Sequence, residues 1–457
     1  MRVHFIGVGG SGMSAVARLW AVREGVTVTG TDRRRSAYFA ALEAAGMDVR
    51  VGEDPEWVAQ ADAVVITSAV RESNPELMRA RAQGIPVLHR SQALVEAVEG
   101  RRLVAVAGSH GKTTTSAMVA TALHGAGVDA SYAVGARVLG IPGAVAGGYA
   151  GTATVAVVEA DESDGSFLRY RPAVGIITNI EPDHLDHYGT VEALHQAFAD
   201  FARLCQTLVV CADDPVALGI GQAAREAGVS VITYGAHAPN VDVAVGEDAV
   251  SRGGERWPLE VPFPGAHMRL NAAAAWAAAV AVGADPEVAA RALGHYAGTG
   301  RRFELRGEVA GVRVVDDYAH HPTEVAAVVQ AARESGAGHL VVLFQPALFS
   351  RTQALAAEFG AALSIADAEV ILAPVHGDRE DPLPGVSSEL IARHVTLREG
   401  QTLTLAESLE DAATRAADAA VPGTLVLTVG SGTVTEAAGW IVEALRARDA
   451  EGGVGGE

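Results

Sequence analysis

Short apolar runs recur along the whole chain, each bounded by glycine or acidic residues and separated from the next by a longer amphipathic stretch. Runs of this length and spacing predict buried parallel strands alternating with helices. In residues 1–97 strands are read at Val3–Ile6, Val26–Thr29, Ala63–Thr67 and Ile85–Leu88, with a helix from Met13 to Val22. Residues 98–298 give a strand at Val104–Ala107, then Thr154–Val158, Val174–Thr178, Val209–Val210 and Val229–Thr233, and an Ala-rich helix over Asn271–Ala281. Residues 299–457 give Val312–Val315, Leu340–Phe344, Val370–Ala373 and Leu425–Val429, again with Ala-rich helices between. The expected class is α/β with three domains of parallel sheet: 1–97, 98–298 and 299–457. The first and third read as Rossmann-like and the central one as a P-loop-type nucleotide-binding domain. The Gly- and Glu-rich tail, Glu451–Glu457, reads as disordered.

Composition narrows the partners. The net charge is −20, which argues against a nucleic-acid face. The two cysteines, Cys205 and Cys211, make no disulfide framework and suit a reducing compartment. The N-terminus reads as a strand, not a leader, and no apolar run reaches a membrane span, so a cytoplasmic protein is expected. Nothing in the pattern separates a monomer from a homodimer.

One residue stands apart. Of 35 Lys and Arg residues, Lys112 is the only lysine. It sits in Gly108-Ser109-His110-Gly111-Lys112-Thr113-Thr114, between a strand and a helix-like stretch. This is a phosphate cradle: backbone amides and a helix N-terminus face an anion, the ammonium supplies a compact charge, and a Thr hydroxyl can ligate Mg²⁺. The loop is shorter than the standard P-loop. A second Gly turn, Gly7-Val8-Gly9-Gly10-Ser11-Gly12, follows the first strand, with Asp32 about 20 residues on. It places the phosphate of a nucleotide at Gly9, Gly10, Ser11 and Gly12, with Ser68 at another strand end.

Two acidic clusters close strands of the central block. They are Glu159-Ala-Asp161-Glu162-Ser-Asp164 and Glu181-Pro-Asp183-His184. Glu159 and His184 are the metal candidates, because a Mg²⁺–nucleotide site takes one or two protein ligands and keeps its waters. Acidic strand ends also cap helices, and for Asp161, Glu162 and Asp164 either role is open. His267 and Asn271, four residues apart, suit an adenine edge or a helix cap. In the third block, Asp316-Asp317-Tyr318-Ala-His320-His321 offers ribose, metal or acceptor contacts. The two histidines cannot both face one ligand on regular structure. Arg351 suits a carboxylate fork.

These motifs, in this order, resemble the Mur ligases of peptidoglycan synthesis, and the likeness covers nearly the whole chain. The pieces are residues 7–14 (GVGGSGMS), 108–115 (GSHGKTTT), 159–164 (EADESD), 178–189 (TNIEPDHLDHYG), 265–271, 301–304 (RRFE) and 316–324 (DDYAHHPTE). The resemblance implies ATP and Mg²⁺ as cofactors, and UDP-N-acetylmuramate and an amino acid, L-alanine in the alanine-adding branch, as substrates. It implies attack of a lactyl carboxylate on the γ-phosphate, then of an amine on the acyl phosphate. It makes Lys112 a phosphate contact, Thr113 and Glu159 ligands of one Mg²⁺, and His184 a ligand of a second. His267 and Asn271 would lie near adenine. Arg302 and Asp317 would contact the nucleotide, and Tyr318 and Arg351 the acceptor. Many members bridge Mg²⁺ with a carbamylated lysine, and Phe198 stands at that position here. The chain departs from the branch at Ala347-Leu348, where His-Arg or His-Leu is usual, at Thr433, and at Ser109. Three other readings stay open: a specialised ligase with another amine or carboxylate, a catalytically silent homologue, and a nicotinamide dehydrogenase built on residues 7–32.

Overall fold

Three sheets carry the chain, which the computed structural model describes over residues 1–377 and 380–453 (backbone alone for 186 and 451–453). By contact the chain divides into two compact units, Met1–Pro262 with Met268–Thr299, and Phe263–His267 with Gly300–Glu457.

The first unit holds two sheets. Strands β1 (Arg2–Ile6), β2 (Thr27–Asp32), β3 (Asp48–Val51), β4 (Ala63–Ile66) and β5 (Val87–His89) form a five-stranded parallel sheet in the order β3-β2-β1-β4-β5. Chain order reverses beside β1, and open sheets of this kind bind ligands at the carboxyl ends of strands at such a point. The Gly turn and the helix Ser11–Ala21 follow β1 there. The edge strand β3 was not legible in the sequence: it is mostly exposed, so it has no apolar run to read.

The second sheet contains β6 (Arg102–Ala107), β7 (Ser131–Ala133), β8 (Gly148–Tyr149), β9 (Val155–Glu159), β10 (Val174–Ile177), β11 (Thr207–Cys211), β12 (Ser230–Gly235), β13 (Val243–Val245), β14 (Ala249–Arg252) and β15 (Glu255–Pro258). Their order is β15-β14-β13-β12-β11-β10-β6-β9-β7-β8. The centre is parallel as expected, but both edges are antiparallel, β13-β14-β15 on one side and β7-β8 on the other. β6 is the pivot. Ala107 pairs with Ile177 of β10, and Val106 with Glu159 of β9, so all three strands end at nearly the same level.

Alanine makes the next layer possible. The helix Ala266–Ala281 starts five residues before the expected Asn271, and Ala272–Ala275 and Ala277–Ala279 have no solvent exposure. Side chains this small let backbones pack closely, while Trp276 fills the remaining volume and donates its indole N–H to the Pro286 carbonyl at 2.8 Å.

The second unit carries β16 (Glu304–Val309), β17 (Val312–Asp317), β18 (His339–Phe344), β19 (Glu369–Leu372), β20 (Thr402–Leu405) and β21 (Thr424–Val429), in the order β16-β17-β21-β18-β19-β20. Only the β16–β17 hairpin is antiparallel, a departure from the all-parallel expectation. The last helix runs from Val434 to Gly453, into the tail expected to lack structure, and 454–457 lie outside the described residues.

Phe198 is fully buried and meets Phe167 edge-to-face at 5.3 Å between centroids. That position is core, held by packing, and offers no ligand. Phe198→Ala is expected to cost about 3–5 kcal/mol of stability. Urea denaturation followed by tryptophan fluorescence checks this, and a loss below ~1 kcal/mol would contradict the packing.

Candidate active site

Three parallel strand ends assemble the central site. The loop after β6 runs past the end of β10, and the approach is so close that only glycine fits at 108. Its φ is +134°, and a Cβ there would lie 2.0 Å from Thr178 Oγ1. The end of β10 then holds the loop. Ser109 N donates to Asn179 O at 3.0 Å, and His110 N to the Asn179 side chain at 2.8 Å. Thr178 Oγ1 donates to the His110 carbonyl at 2.6 Å, and Glu181 N to Ser109 Oγ at 2.9 Å. Gly111 turns the chain with φ +82° into the helix Lys112–Gly125, which begins with no side-chain cap. Uncapped helix amides at the end of a Gly turn make an anion site.

Lys112 lies at the centre. Its ammonium donates to the Gly108 carbonyl at 2.7 Å, the Ser109 carbonyl at 3.1 Å and Glu162 Oε1 at 2.9 Å. Three N–H donors thus meet three acceptors. Burial by itself would lower the lysine's pKa, but the carboxylates of Glu162 and Asp161 overcome it and keep the ammonium charged. For Glu162 burial wins: despite Lys112, its carboxyl is pushed up to about 7.

The acidic run after β9 sorts into distinct roles. Glu159 accepts from Thr113 Oγ1 at 2.8 Å and from Gly135 N at 2.7 Å. Asp161 pairs with Arg90 at 3.1 Å and is held well below the usual carboxylate range, burial being outweighed by Lys112 and Arg90. These two cations answer the repulsion among four acids in six residues. Asp164 accepts from Ser166 N at 2.9 Å and faces His89 at 3.6 Å. His184 adopts a left-handed conformation, φ +55°, which puts its Nε2 3.8 Å from Glu162 Oε1 and 3.7 Å from Asp183 Oδ2. The Thr hydroxyl and the carboxylates suit a hard divalent cation, and the imidazole adds a borderline nitrogen donor beside them.

Asn271 sits against this loop: a Cβ on Gly111 would lie 2.8 Å from its Oδ1. His267, on the same helix, folds its ring back over Gly265. Thr114 is buried within the helix.

At the Gly turn, Gly9 N donates to Asp32 Oδ2 at 2.9 Å and Gly9 O accepts from Ser36 Oγ at 2.7 Å. Gly10 stands at the N-cap of the helix Ser11–Ala21. Ser68 lies exposed in the turn beyond β4, which pairs with β1. Arg90 reaches this turn, since a Cβ on Gly12 would be 2.4 Å from its Nη1. Arg90 thus touches the Gly turn and the acidic loop together.

In the second unit, Asp317 Oδ2 accepts from Phe303 N at 2.7 Å and its Oδ1 from Ala319 N at 2.8 Å. Burial pushes its carboxyl up to about 6, against the pull of Arg302. The guanidiniums of Arg301 and Arg302 lie over the Tyr318 ring at 4.8 Å and 5.2 Å. His321 caps the helix Pro322–Glu334, whose Glu324 accepts from His320 N and His321 N. Arg351 lies in the helix Phe349–Ala354. Ala347 is buried and bridges to His376, Leu348 takes φ +71°, and Thr433 Oγ1 lies 3.3 Å from Gln345 Nε2.

Sequence reasoning passed over Arg90 and Asn179. Asn179 had a signal, because a Gly loop leaving one strand needs acceptors from the next. Arg90 had none, since its partner Asp161 is 71 residues away.

Comparison with known proteins shows the family. The chain matches the Mur ligase family catalytic domain over residues 2–102. It also matches the Mur ligase middle domain over 106–279 and the Mur ligase glutamate ligase domain over 301–432. It is 48% identical to a UDP-N-acetylmuramate–L-alanine ligase of Renibacterium salmoninarum, over 97% of this chain and 96% of that protein. It is 50% identical to one of an Arthrobacter species, over 99% and 96%. The crystal structure of a UDP-N-acetylmuramate–alanine ligase from Thermotoga maritima superposes with a TM-score of 0.81 at 28% identity, covering 98% of this chain and all (100%) of the other.

His320 generates a test by pH. Burial, helped by Arg351 and Arg302, lowers its pKa from 6.5 to about 4, against Glu324. The unfolded chain then binds a proton below pH 6.5 that the folded chain refuses until about 4. The stability present above pH 6.5 is therefore lost as pH falls through that window. Asp317 runs the opposite way, losing stability as pH rises from 3.8 towards 6. Subtracting a His320→Asn variant from the wild type cancels Asp317. The difference is expected to change by roughly 1–3 kcal/mol between pH 6.5 and 4 in chemical denaturation. A flat difference would mean that the imidazole protonates in the fold.

Proposed function

The chain belongs to the Mur ligase family, and from that premise we propose that it joins L-alanine to the lactyl carboxylate of UDP-N-acetylmuramate, converting ATP to ADP and phosphate, in peptidoglycan precursor synthesis. It is an ADP-forming acid–amino-acid ligase of three α/β domains, for which we keep the bounds 1–97, 98–298 and 299–457. The observation that carries the reading is the constellation around Lys112: a compact ammonium, an uncapped helix N-terminus and the Thr113–Glu159 pair within one set of strand ends.

The chemistry asks for little beyond charge and position. The lactyl carboxylate attacks the γ-phosphorus, the bond to the β–γ bridging oxygen breaks and ADP leaves. The amine then attacks the acyl carbon, loses a proton, and phosphate departs. Lys112 exchanges its carbonyl and carboxylate partners for the β/γ-phosphate oxygens, and the uncapped amides that open the helix Lys112–Gly125 take the remaining charge. Thr113 with Glu159, and His184 across the loop, would hold Mg²⁺, which lowers the barrier by neutralising phosphate charge. The turn at Gly9, Gly10, Ser11 and Gly12, with Ser68, receives the diphosphate of the sugar nucleotide. Arg302 and Asp317 serve the nucleotide, Tyr318 and Arg351 the amino-acid side, and His267 and Asn271 the adenine side. Among the described residues no helix is long and apolar enough to cross a membrane. A cytoplasmic enzyme fits soluble substrates of this kind.

Ala347 sustains a second reading. It is buried and offers no side-chain donor where the alanine-adding branch usually carries histidine. A related ligase that joins a different amine or carboxylate would have that feature.

Phosphate release decides between the two. Purified protein with ATP, Mg²⁺ and UDP-N-acetylmuramate is expected to turn over with L-alanine across an amino-acid panel, and Lys112→Ala to lower kcat about 10²–10³-fold. ATP binding without turnover on this sugar nucleotide, whatever the amino acid, would overturn the assignment in favour of the second reading.

A further inference from the structure

The carboxylates of the acidic loop are not equally satisfied. Glu159 has a hydroxyl and an amide, Asp161 has Arg90 and the Ser163 amide, and Asp164 has the Ser166 amide. Glu162 differs. Its side chain is 2% exposed, Oε1 accepts from Lys112, and Oε2 has no hydrogen-bond partner. Its backbone is pinned as well, since Tyr188 Oη donates to the Glu162 carbonyl. The carboxylate therefore points inward by construction, with Lys112 on one side and the His184 imidazole 3.8 Å away on another.

A buried carboxylate needs a cation beside it, because desolvation is otherwise uncompensated. Lys112 is that cation in the ligand-free chain. The same ammonium is the group that the phosphates require. When it moves to them, Glu162 is left with an orphan oxygen, no counter-charge and an imidazole as nearest neighbour. A carboxylate oxygen and an imidazole nitrogen at this separation form part of a divalent-cation shell.

Resting on the nucleotide site proposed above, we propose that Glu162 is a ligand of the cation that His184 holds, and that Lys112 stands in for this cation until nucleotide arrives. Two consequences follow. Binding of nucleotide and of this cation is cooperative, since each removes the electrostatic objection to the other. Nucleotide free of metal binds more weakly, because it strips Lys112 from Glu162 with nothing to replace it.

The test is Mn²⁺ binding, read by electron paramagnetic resonance of free Mn²⁺ and by calorimetry, with and without the non-hydrolysable analogue AMP-PNP. The wild type is expected to gain a second tight Mn²⁺ when AMP-PNP is present. Glu162→Gln, which keeps the shape and an acceptor for Lys112, is expected to weaken that ion alone by roughly 10–100-fold. It is also expected to bind metal-free AMP-PNP more tightly than the wild type. Glu162→Asp, which keeps the charge on a shorter arm, carries the same test should the glutamine variant fail to fold. Unchanged Mn²⁺ number and affinity in both variants would overturn the proposal. So would net proton uptake by the wild type on binding AMP-PNP, seen across buffers of different ionisation enthalpy and lost in Glu162→Gln. A wild type that does not bind AMP-PNP at all would instead remove the nucleotide site itself.

Discussion

The parallel pairing of β6 with β9 and β10 is the constraint on which the central site depends. Its register puts Ala107, Ile177 and Glu159 at nearly one level, so the residues that follow each strand converge by geometry. The Gly loop needs acceptors for its amides, and the end of β10 presents Asn179 and Thr178 where the loop passes. The first turn of the helix needs a partner for Thr113, and the end of β9 presents Glu159. A slip of one residue would turn every one of these side chains to the other face of the sheet. The apolar interior of β6, fully buried from Val104 to Ala107, therefore fixes where these side chains stand.

Glycine and charge act on this frame in complementary ways. Gly108 and Gly12 are placed where a neighbouring chain atom would collide with any Cβ, so their absent side chains leave the space that Thr178 and Arg90 occupy. The charges form a chain through one unit: Arg90 against Gly12, Asp161 against Arg90, and Glu162 against Lys112. Contact alone does not make this chain a communication path. It does mean that an anion arriving at either Gly loop meets a basic group already engaged with the same acidic segment.

What the sequence revealed and what it hid follow from range. The strand–turn–helix signals at residues 3–22 and 104–125 are local, so both Gly loops and the strands before them could be read directly. The buried strands were legible because they are short continuous apolar runs. The edge strands β3 and β20, with exposed positions, and the antiparallel edges β13-β14-β15 and β7-β8 carry no such signature, and they were missed. Within the site, residue types named the chemistry but not the pairing. Glu159 and Glu162 look alike in the sequence, yet one is saturated by a hydroxyl and an amide and the other is left with an open oxygen. That difference is set by tertiary contacts 24–50 residues away, beyond any local pattern.

The solitary lysine can now be understood in these terms. Arginine occupies every other basic position in the chain, so a special reason must exist at 112. The pocket supplies it. Two carbonyls of the preceding loop and one carboxylate oxygen lie around a single point at 2.7–3.1 Å, a tripod that matches the three donors of an ammonium. A guanidinium spreads five donors over a plane and could satisfy at most part of this set, leaving buried donors unpaired. A pocket that gathers three acceptors around one point therefore selects for the one basic side chain shaped as a point.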